Sequence, residues 1–354
     1  MNRKTLVAAM ASVFAFPAMA AADSSVTLFG QLQPQIVYQS ASGDDSFDSG
    51  FRQYDGGGAR QAANGSNPGR LGVLVRHDLG NGLTALAKME QDANTVSGFG
   101  SGPREIYVGL SGDFGRVIVG RLTSPYSTAG KDPLNATFMQ QRVLGGRLSP
   151  GGYGWGGFVN GSYLDRGIRY TNDFGPVYFD IATFLDNEDD SNSAFAARLA
   201  FDLGATEIYG AYQRGDENNQ TEGLSILDGF NDAFADNLRV AKLGADWRQG
   251  PWRLNFEAED AVLDDADGVE VFDGNTYFAA GTYRMGETDF TLSLGHTRNT
   301  VPDDTEKTDS AAIAVTHHLS NRVRIFGGVA YTKEKDNVND PSYTAVGGGM
   351  RVAF

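Results

Sequence analysis

The sequence contains no cysteine, and its basic residues are few beside its acidic ones. Lys and Arg together number 29 against 44 Asp and Glu, for a formal net charge of -15. Without cysteine, neither a disulfide framework nor a thiolate metal site can form. Phosphate backbones are bound by clustered Lys and Arg, so this charge balance argues against a nucleic-acid partner.

Motifs of common catalytic sites are missing as well. The four histidines show no H-E-x-x-H spacing, and the chain has no G-x-S-x-G elbow and no G-x-x-x-x-G-K-[ST] phosphate loop. His317 and His318 lie beside a short turn signal, where solvated side chains are the ordinary case. We therefore expect no enzymatic activity, no cofactor and no metal site.

Long apolar runs are absent beyond the N-terminus. After residue 22, no stretch approaches the ~20 apolar residues of a membrane-spanning helix. Before it, Arg3 and Lys4 precede an apolar run over residues 6–17 and a small-x-small site at 18–20. This pattern predicts a signal peptide over residues 1–20, cleaved after Ala20 or as late as Ala22, and hence an exported chain. A buried N-terminal helix is the alternative.

Alternation with period two runs through most of the remaining chain. One example sets Trp252, Leu254, Phe256 and Ala258 against Arg253, Asn255, Glu257 and Glu259. Successive side chains of a strand point to opposite faces, so such segments have one apolar and one polar face.

Short and long connections alternate between these segments. Gly, Asn, Asp and Pro supply the backbone angles of tight hairpins. Short turn signals lie at 78–82, 111–115, 172–176, 202–204, 248–251, 284–287 and 318–321. Long polar stretches lie at about 41–66, 93–102, 122–165, 187–192, 214–236, 261–273, 299–308 and 335–341. Together these connections would join sixteen strands.

The sorting of connections by length predicts an all-β fold, a 16-stranded antiparallel transmembrane β-barrel formed by residues 21–354 as one domain. Such barrels have short turns on one side and long loops on the other, with strands of ~10 residues. Closure satisfies every backbone hydrogen bond within hydrocarbon, and ~16 strands leave a watery lumen. A soluble β-sandwich or β-helix is the alternative, although its loops need not sort by length.

Several segments resemble the Gram-negative general porin family. They are Ser25–Gly30, Gly69–Gly72 with the continuation at 78–83 and 88–90, and Arg104–Gly112 with the continuation at 114–115 and 119–121. The final Phe354 is similar to the family's membrane-assembly signal. The resemblance implies a homotrimer of 16-stranded barrels in the Gram-negative outer membrane, with short periplasmic turns and long external loops.

The resemblance also implies that one long loop folds into the pore as a constriction. Here it would be the connection at about 122–165, the longest in the chain and rich in glycine. Loops of this length are usually functional or disordered. A mobile external flap is the other interpretation of the same segment.

Strand parity assigns charged side chains to the lumen. Predicted to face inward are Arg70, Arg76, Lys88, Glu90 and Arg104, and their neighbours Leu71, Val73, Val75, Ala87, Met89 and Tyr107 are predicted to face outward. Arg166 and Arg169 follow the loop and are candidates for the same cluster. The parity of Arg121 is ambiguous, and an orientation toward a neighbouring subunit is the alternative for it.

The predicted constriction loop is poor in acid. Its charged candidates are Lys131, Asp132, Arg142 and Arg147. Opposed charges at a constriction set up a transverse field that sorts solutes by charge. With so little acid in the loop, a neutral or mildly anion-preferring constriction is expected. Most acids lie in other loops, where they are either simply solvated or hold divalent cations that bridge to lipopolysaccharide.

The sequence therefore predicts an outer-membrane channel for passive diffusion of small hydrophilic solutes and ions, surrounded by lipid and lipopolysaccharide. Alternatives are a solute-specific channel for an anion or sugar, a barrel whose loops adhere to surfaces, and a barrel hydrolase that assembles Ser and His across strands.

Overall fold

The computed structural model describes most of the chain from residue 24 onward. The described residues are 24–44, 49–54, 69–96, 98–142, 163–185, 194–215, 237–265, 267–301, 304–335 and 340–354. The predicted signal peptide lies outside them.

Strands account for nearly all of this structure. They are β1 (Ser24–Leu32), β2 (Gln35–Ser42), β3 (Gly50–Tyr54), β4 (Arg70–Gly80), β5 (Leu83–Asn94), β6 (Gly98–Gly112), β7 (Gly115–Thr123), β8 (Tyr163–Phe174), β9 (Val177–Phe184), β10 (Ala194–Asp202), β11 (Thr206–Gly215), β12 (Asn237–Gln249), β13 (Trp252–Asp264), β14 (Glu270–Met285), β15 (Thr288–Val301), β16 (Asp304–His318), β17 (Val323–Lys335) and β18 (Ser342–Ala353). All belong to one antiparallel sheet. A helix with the length and hydropathy of a membrane span does not occur among the described residues.

The first two strands of the barrel are each broken in two. β1 and β2 are separated only by Gln33 and Pro34, and proline cannot donate a ladder hydrogen bond. β2 pairs with β3 while β1 pairs with β4, so β3 and β4 are likewise two parts of one strand. When each broken strand is counted once, the barrel has the sixteen strands predicted from the sequence.

The sheet closes on itself between its first and last strands. Gln31 pairs with Ala353, and the backbones of Gly30 and Phe354 exchange two hydrogen bonds of 3.0 Å. An added Cβ on Gly30 would lie 2.7 Å from the Phe354 ring, so glycine is needed for this approach. Closure contradicts the sandwich and β-helix alternatives, because it leaves no free sheet edge.

The outer face of the sheet is apolar and the inner face is polar, which is the reverse of the arrangement in a soluble protein. Large apolar side chains are exposed on the outside, as Leu243 at 61% and Leu292 at 50% show. Polar side chains are buried on the inside, including Gln213 at 0% and Glu257 at 2%. An apolar exterior around a polar interior is the arrangement of a barrel in lipid.

Every short turn occurs where the sequence predicts it. The residues between the paired strands are 81–82, 113–114, 175–176, 203–205, 250–251, 286–287 and 319–322. Asn81 and Gly82 both have positive φ, 53° and 77°, which suits the two-residue turns that match strand twist.

Most long connections are shorter than predicted, since the strands extend into them; the connection predicted at 187–192 is longer, at 185–193. The predicted loop at 41–66 contains β3, and the one at 261–273 shrinks to residues 265–269. Strand pairing depends on backbone hydrogen bonds, so polar sequence above the apolar band can continue the ladder.

A lipid-facing charge should destabilise this barrel. We expect Leu292→Arg to lower the free energy of unfolding by about 2–4 kcal/mol, the cost measured for Arg near the midplane of such barrels. Urea unfolding in lipid vesicles measures the change, with Leu292→Ala as the control for lost side-chain volume. Equal stability of the two variants would contradict the outward orientation of Leu292.

Candidate functional site

Residues 124–142, which we call the inner segment, lie inside the barrel and contact opposite walls. On one side the backbone N–H of Phe138 donates to Gln35 Oε1 of β2 at 2.9 Å. On the other, Arg142 Nε donates to Glu257 Oε1 of β13 at 2.5 Å. The described residues form two clusters of buried apolar side chains, with Tyr126 and Ala129 in one and Leu134, Phe138 and Met139 in the other. The apolar core of the protein is therefore formed where this segment packs on the wall.

Asp132 organises the inner segment. Its Oδ1 accepts from the N–H of Leu134 at 2.8 Å, and its Oδ2 accepts from the N–H of Arg142 at 3.2 Å. A side-chain carboxylate that receives backbone N–H groups in this way stabilises a turn. The acid predicted to supply negative charge to the lumen thus joins the middle of the segment to its C-terminal end.

The far end of the inner segment is anchored by a buried charge network. Arg142 lies 2.5 Å from Glu257 and 3.8 Å from Glu259. Lys242 Nζ lies 2.5 Å from Glu259, and the Tyr209 hydroxyl donates to Glu257 at 2.6 Å. Two cations thereby balance two carboxylates, which is the condition for burying such charges.

Arg142 stays charged in this network. Burial lowers the pKa of its guanidinium, but the carboxylates of Glu257 and Glu259 outweigh that effect, and the net shift is upward. The cation also stacks against the segment itself, since an added Cβ on Gly130 would overlap its guanidinium. Only glycine leaves room for Arg142 there.

The near end of the inner segment is held by Arg169. Its guanidinium binds both Asp180 oxygens, at 2.8 and 2.6 Å, and donates to the Thr123 carbonyl at 2.9 Å and to Thr128 Oγ1 at 3.3 Å. Such two-pronged pairs are the stronger ion pairs. Arg169 was a candidate for the wall cluster, and the structure places it in a closed pair with Asp180 instead.

Four of the residues assigned to the lumen by parity do meet on the wall. Glu90 accepts from Lys88 at 2.6 Å and from Arg104 at 2.6 Å, and Arg70 lies 3.6 Å away. Two further acids join them. Arg104 reaches Asp92 at 3.0 Å, and Lys88 reaches Glu105 at 2.7 Å.

The predicted orientation of Tyr107 is wrong. Tyr107 pairs in register with Lys88 and is only 9% exposed, whereas Ile106 and Val108 are exposed on the outer face. The register between β5 and β6 shifts around residues 89–91, and an irregularity of this kind reverses the parity of the residues beyond it. Gly102 and Pro103 are the sequence signal that could have indicated it.

The remaining residues predicted to line the pore do not form one cluster. Arg121 pairs with the exposed Ile106 and binds Asp165 at 2.8 Å, and Lys131 binds Glu207 at 3.1 Å. Arg166, the fourth residue of β8, has a left-handed conformation, with φ at 56°. Arg76 lies on the inner wall beside Lys88. Arg147 lies outside the described residues.

Sequence reasoning missed an arginine pair at the closure of the barrel. Arg324 and Arg351 are cross-strand neighbours on β17 and β18. Arg351 donates to Gln33, whose amide in turn donates to the Ala136 carbonyl of the inner segment. Among the described residues, neither arginine forms an ion pair with a carboxylate, and Nε of Arg324 is buried without a partner. Only the fold, which joins the chain's two ends, brings these groups to the segment.

Sequence and structure comparisons agree with this architecture. The family description "Gram-negative porin" matches residues 6–337. The chain is similar to outer membrane porin protein 32 of Delftia acidovorans, at 28% identity over 94% of this chain and 90% of the relative. It is also similar to the major outer membrane protein P.IB of Neisseria meningitidis, at 26% identity over 80% of this chain and 82% of the relative.

Solved structures show the same fold. A structure titled an anion-selective porin from Comamonas acidovorans superposes with a TM-score of 0.68 at 20% identity, covering 94% of this chain and 100% of the other. The trimer form of OmpT from Vibrio cholerae superposes with a TM-score of 0.65 at 14% identity, covering 94% and 99% of the two chains.

The Arg142–Glu257 contact should be strongly coupled. Removing one partner leaves the other buried and unbalanced, so we expect Arg142→Met and Glu257→Gln each to cost about 3–5 kcal/mol in the free energy of unfolding. The double variant should cost clearly less than the sum. A double-mutant cycle of urea unfolding measures this coupling, and simple additivity would show that the contact does not anchor the segment.

Proposed function

The chain belongs to the Gram-negative porin family, and from that membership we propose that its inner segment narrows a channel for passive diffusion. The protein is an outer-membrane porin, and its barrel of sixteen strands is wide enough to leave an aqueous lumen. Small hydrophilic solutes and ions cross it down their concentration gradients. Members of this family are channels, and the mechanism we propose involves no bond-making step.

One observation supports the proposal that the inner segment constricts the pore. The inner segment contacts β2 on one side of the lumen and β13 on the other, through Phe138 and Arg142. Anchors at opposite walls hold a segment across a cylinder rather than against one side. For residues 124–142, these two anchors support a pore constriction over a mobile external flap. Residues 143–162 of the same loop lie outside the described residues.

The charges beside the segment favour anions. Arg142, Lys242 and Arg169 are balanced by Glu257, Glu259 and Asp180. Arg324 and Arg351 are left without ion pairs among the described residues, and Arg351 reaches the segment through Gln33. Unbalanced charge in a narrow, low-dielectric passage attracts counter-ions. We propose a mild anion preference despite the acidic net charge, as in the solved porin titled anion-selective.

We also propose how the protein is processed and assembled. The trimer form of a solved structural neighbour supports a homotrimer embedded in outer-membrane lipid and lipopolysaccharide. Residues 1–20 would be removed on export, leaving 21–354 as the barrel. The Phe354 backbone, which pairs with Gly30, supports a role for this residue in closing the barrel during membrane assembly.

Replacing Arg324 and Arg351, which form no ion pair among the described residues, tests the selectivity. In a planar bilayer under a KCl gradient, the double variant Arg324→Gln/Arg351→Gln should move the reversal potential toward that of a cation-preferring channel, because two unbalanced positive charges are lost. Arg248→Gln is the control, since Arg248 is paired with Asp246 at 2.5 Å beside a short turn, and Asp246 keeps Arg253 as a partner in this variant. A reversal potential equal to that of the unaltered protein would remove the arginine pair from the ion path.

A further inference from the structure

Building on the proposed channel, we propose that a niche in its inner wall binds small carboxylates that carry an aromatic or branched apolar body. The wall niche has a volume of about 360 Å³. Its lining joins apolar Phe29, Leu86 and Tyr107 to cationic Arg76, Lys88 and Arg116. Sites for small organic ligands usually combine an apolar surface with a few polar groups in this way, at ~300–1,000 Å³.

Strand register explains how these residues converge. Arg76 pairs with Leu86 across β4 and β5, and Lys88 pairs with Tyr107 across β5 and β6. Paired residues share a face of the sheet, so all four lie on the lumen side. Arg116 follows the short turn at 113–114, which places the wall niche toward the short-turn end of the barrel.

The floor of the wall niche is apolar and fixed. Leu86 and Tyr107 are only 6% and 9% exposed, so their neighbours hold them in place. The Phe29 ring packs over Gly72, where any added Cβ would collide with it. Lys88 Nζ lies 5.3 Å from the centre of that ring. Above this floor, the half-buried side chains of Phe29 and Leu74 supply the apolar surface that a solute body can contact.

The wall niche carries positive charge, part of which is not neutralised by carboxylates among the described residues. Lys88 is neutralised by Glu90 and Glu105, at 2.6 and 2.7 Å. Arg76 forms no ion pair with any described residue, and the described contact of the Arg116 guanidinium is a neutral one, to Thr171 Oγ1 at 3.3 Å. Carboxylates do not line the wall niche. Two guanidinium groups are therefore available to an incoming anion.

These two features together define the ligand class. A guanidinium binds a carboxylate through two parallel hydrogen bonds, which favours planar carboxylates. The apolar floor adds binding only for a solute with an apolar body. A second cavity, lined in part by Asp173, Arg198 and Glu207, carries both signs of charge and lacks this preference. The wall niche thus distinguishes aromatic or branched carboxylates from inorganic anions and from organic cations.

Transient block of the open channel tests the proposal. Single-channel currents of the full protein in KCl are recorded with benzoate, acetate or benzylammonium added on the short-turn side. Benzoate should interrupt the current at a concentration about tenfold below that of acetate, a ratio equal to ~1.4 kcal/mol of binding. Benzylammonium should not block.

Two sets of variants separate the charged and apolar contributions. Arg76→Gln/Arg116→Gln should remove the benzoate block, whereas the matched double variant Arg248→Gln/Arg284→Gln, at turn arginines paired with Asp246 and Asp289, should leave it unchanged. Leu86→Ala should weaken the benzoate block and leave that of acetate unaltered.

The outcomes distinguish the wall niche from the channel itself. Equal block by acetate and benzoate, or a benzoate block that survives Arg76→Gln/Arg116→Gln, overturns the wall niche while the porin stands. Absence of any current overturns the proposed function. In that case, saturation-transfer NMR of benzoate with the detergent-solubilised protein still tests whether the wall niche binds benzoate. A transfer signal that disappears in Arg76→Gln/Arg116→Gln supports the wall niche, whereas a signal that persists there, or that the unaltered protein never gives, refutes it.

Discussion

The structure depends on one constraint: a backbone in hydrocarbon finds no water, so each of its N–H and C=O groups must bond within the protein. Sixteen strands meet this constraint only if the first and last strands pair. The Gln31–Ala353 pairing and the double hydrogen bond between Gly30 and Phe354 achieve it. Apolar side chains are then free to face outward, because the exterior solvent is lipid.

Closure has a second consequence inside the barrel. A lumen with a polar wall cannot form an ordinary apolar core, and the inner segment supplies one by packing Tyr126, Phe138 and Met139 against the wall. The charges that accompany it are mostly paired, as Arg142 is with Glu257 and Arg169 is with Asp180. Because a buried pair carries no net charge, we propose that the arginines without an ion pair among the described residues set the ion preference of the passage.

Much of the fold could be predicted from local sequence. The seven short turns carry Gly, Asn, Asp or Pro at fixed positions, and alternation with period two marks the faces of the strands between them. Local signals fail where the ladder is irregular. The register shift near residue 90 reversed the predicted side of Tyr107, and the polar sequence of β3 concealed a strand.

The site was predictable only in part. Arg70, Lys88, Glu90 and Arg104 lie close together because neighbouring strands carry them, and parity suffices for such a cluster. The anchors of the inner segment are different. Arg142 and Glu257 are 115 residues apart, and Arg351 and Gln33 are 318 apart, so only the closed barrel brings them together.

We propose that the inner segment lies in the water-filled path of the channel. The chain has no cysteine, so a single introduced thiol can report on this directly. In Thr128→Cys, whose position is exposed within the lumen, a charged methanethiosulfonate reagent added during recording should reduce the single-channel current, while the same reagent should leave the unaltered protein unaffected. A current that does not change after complete modification would show that the inner segment lies outside the ion path.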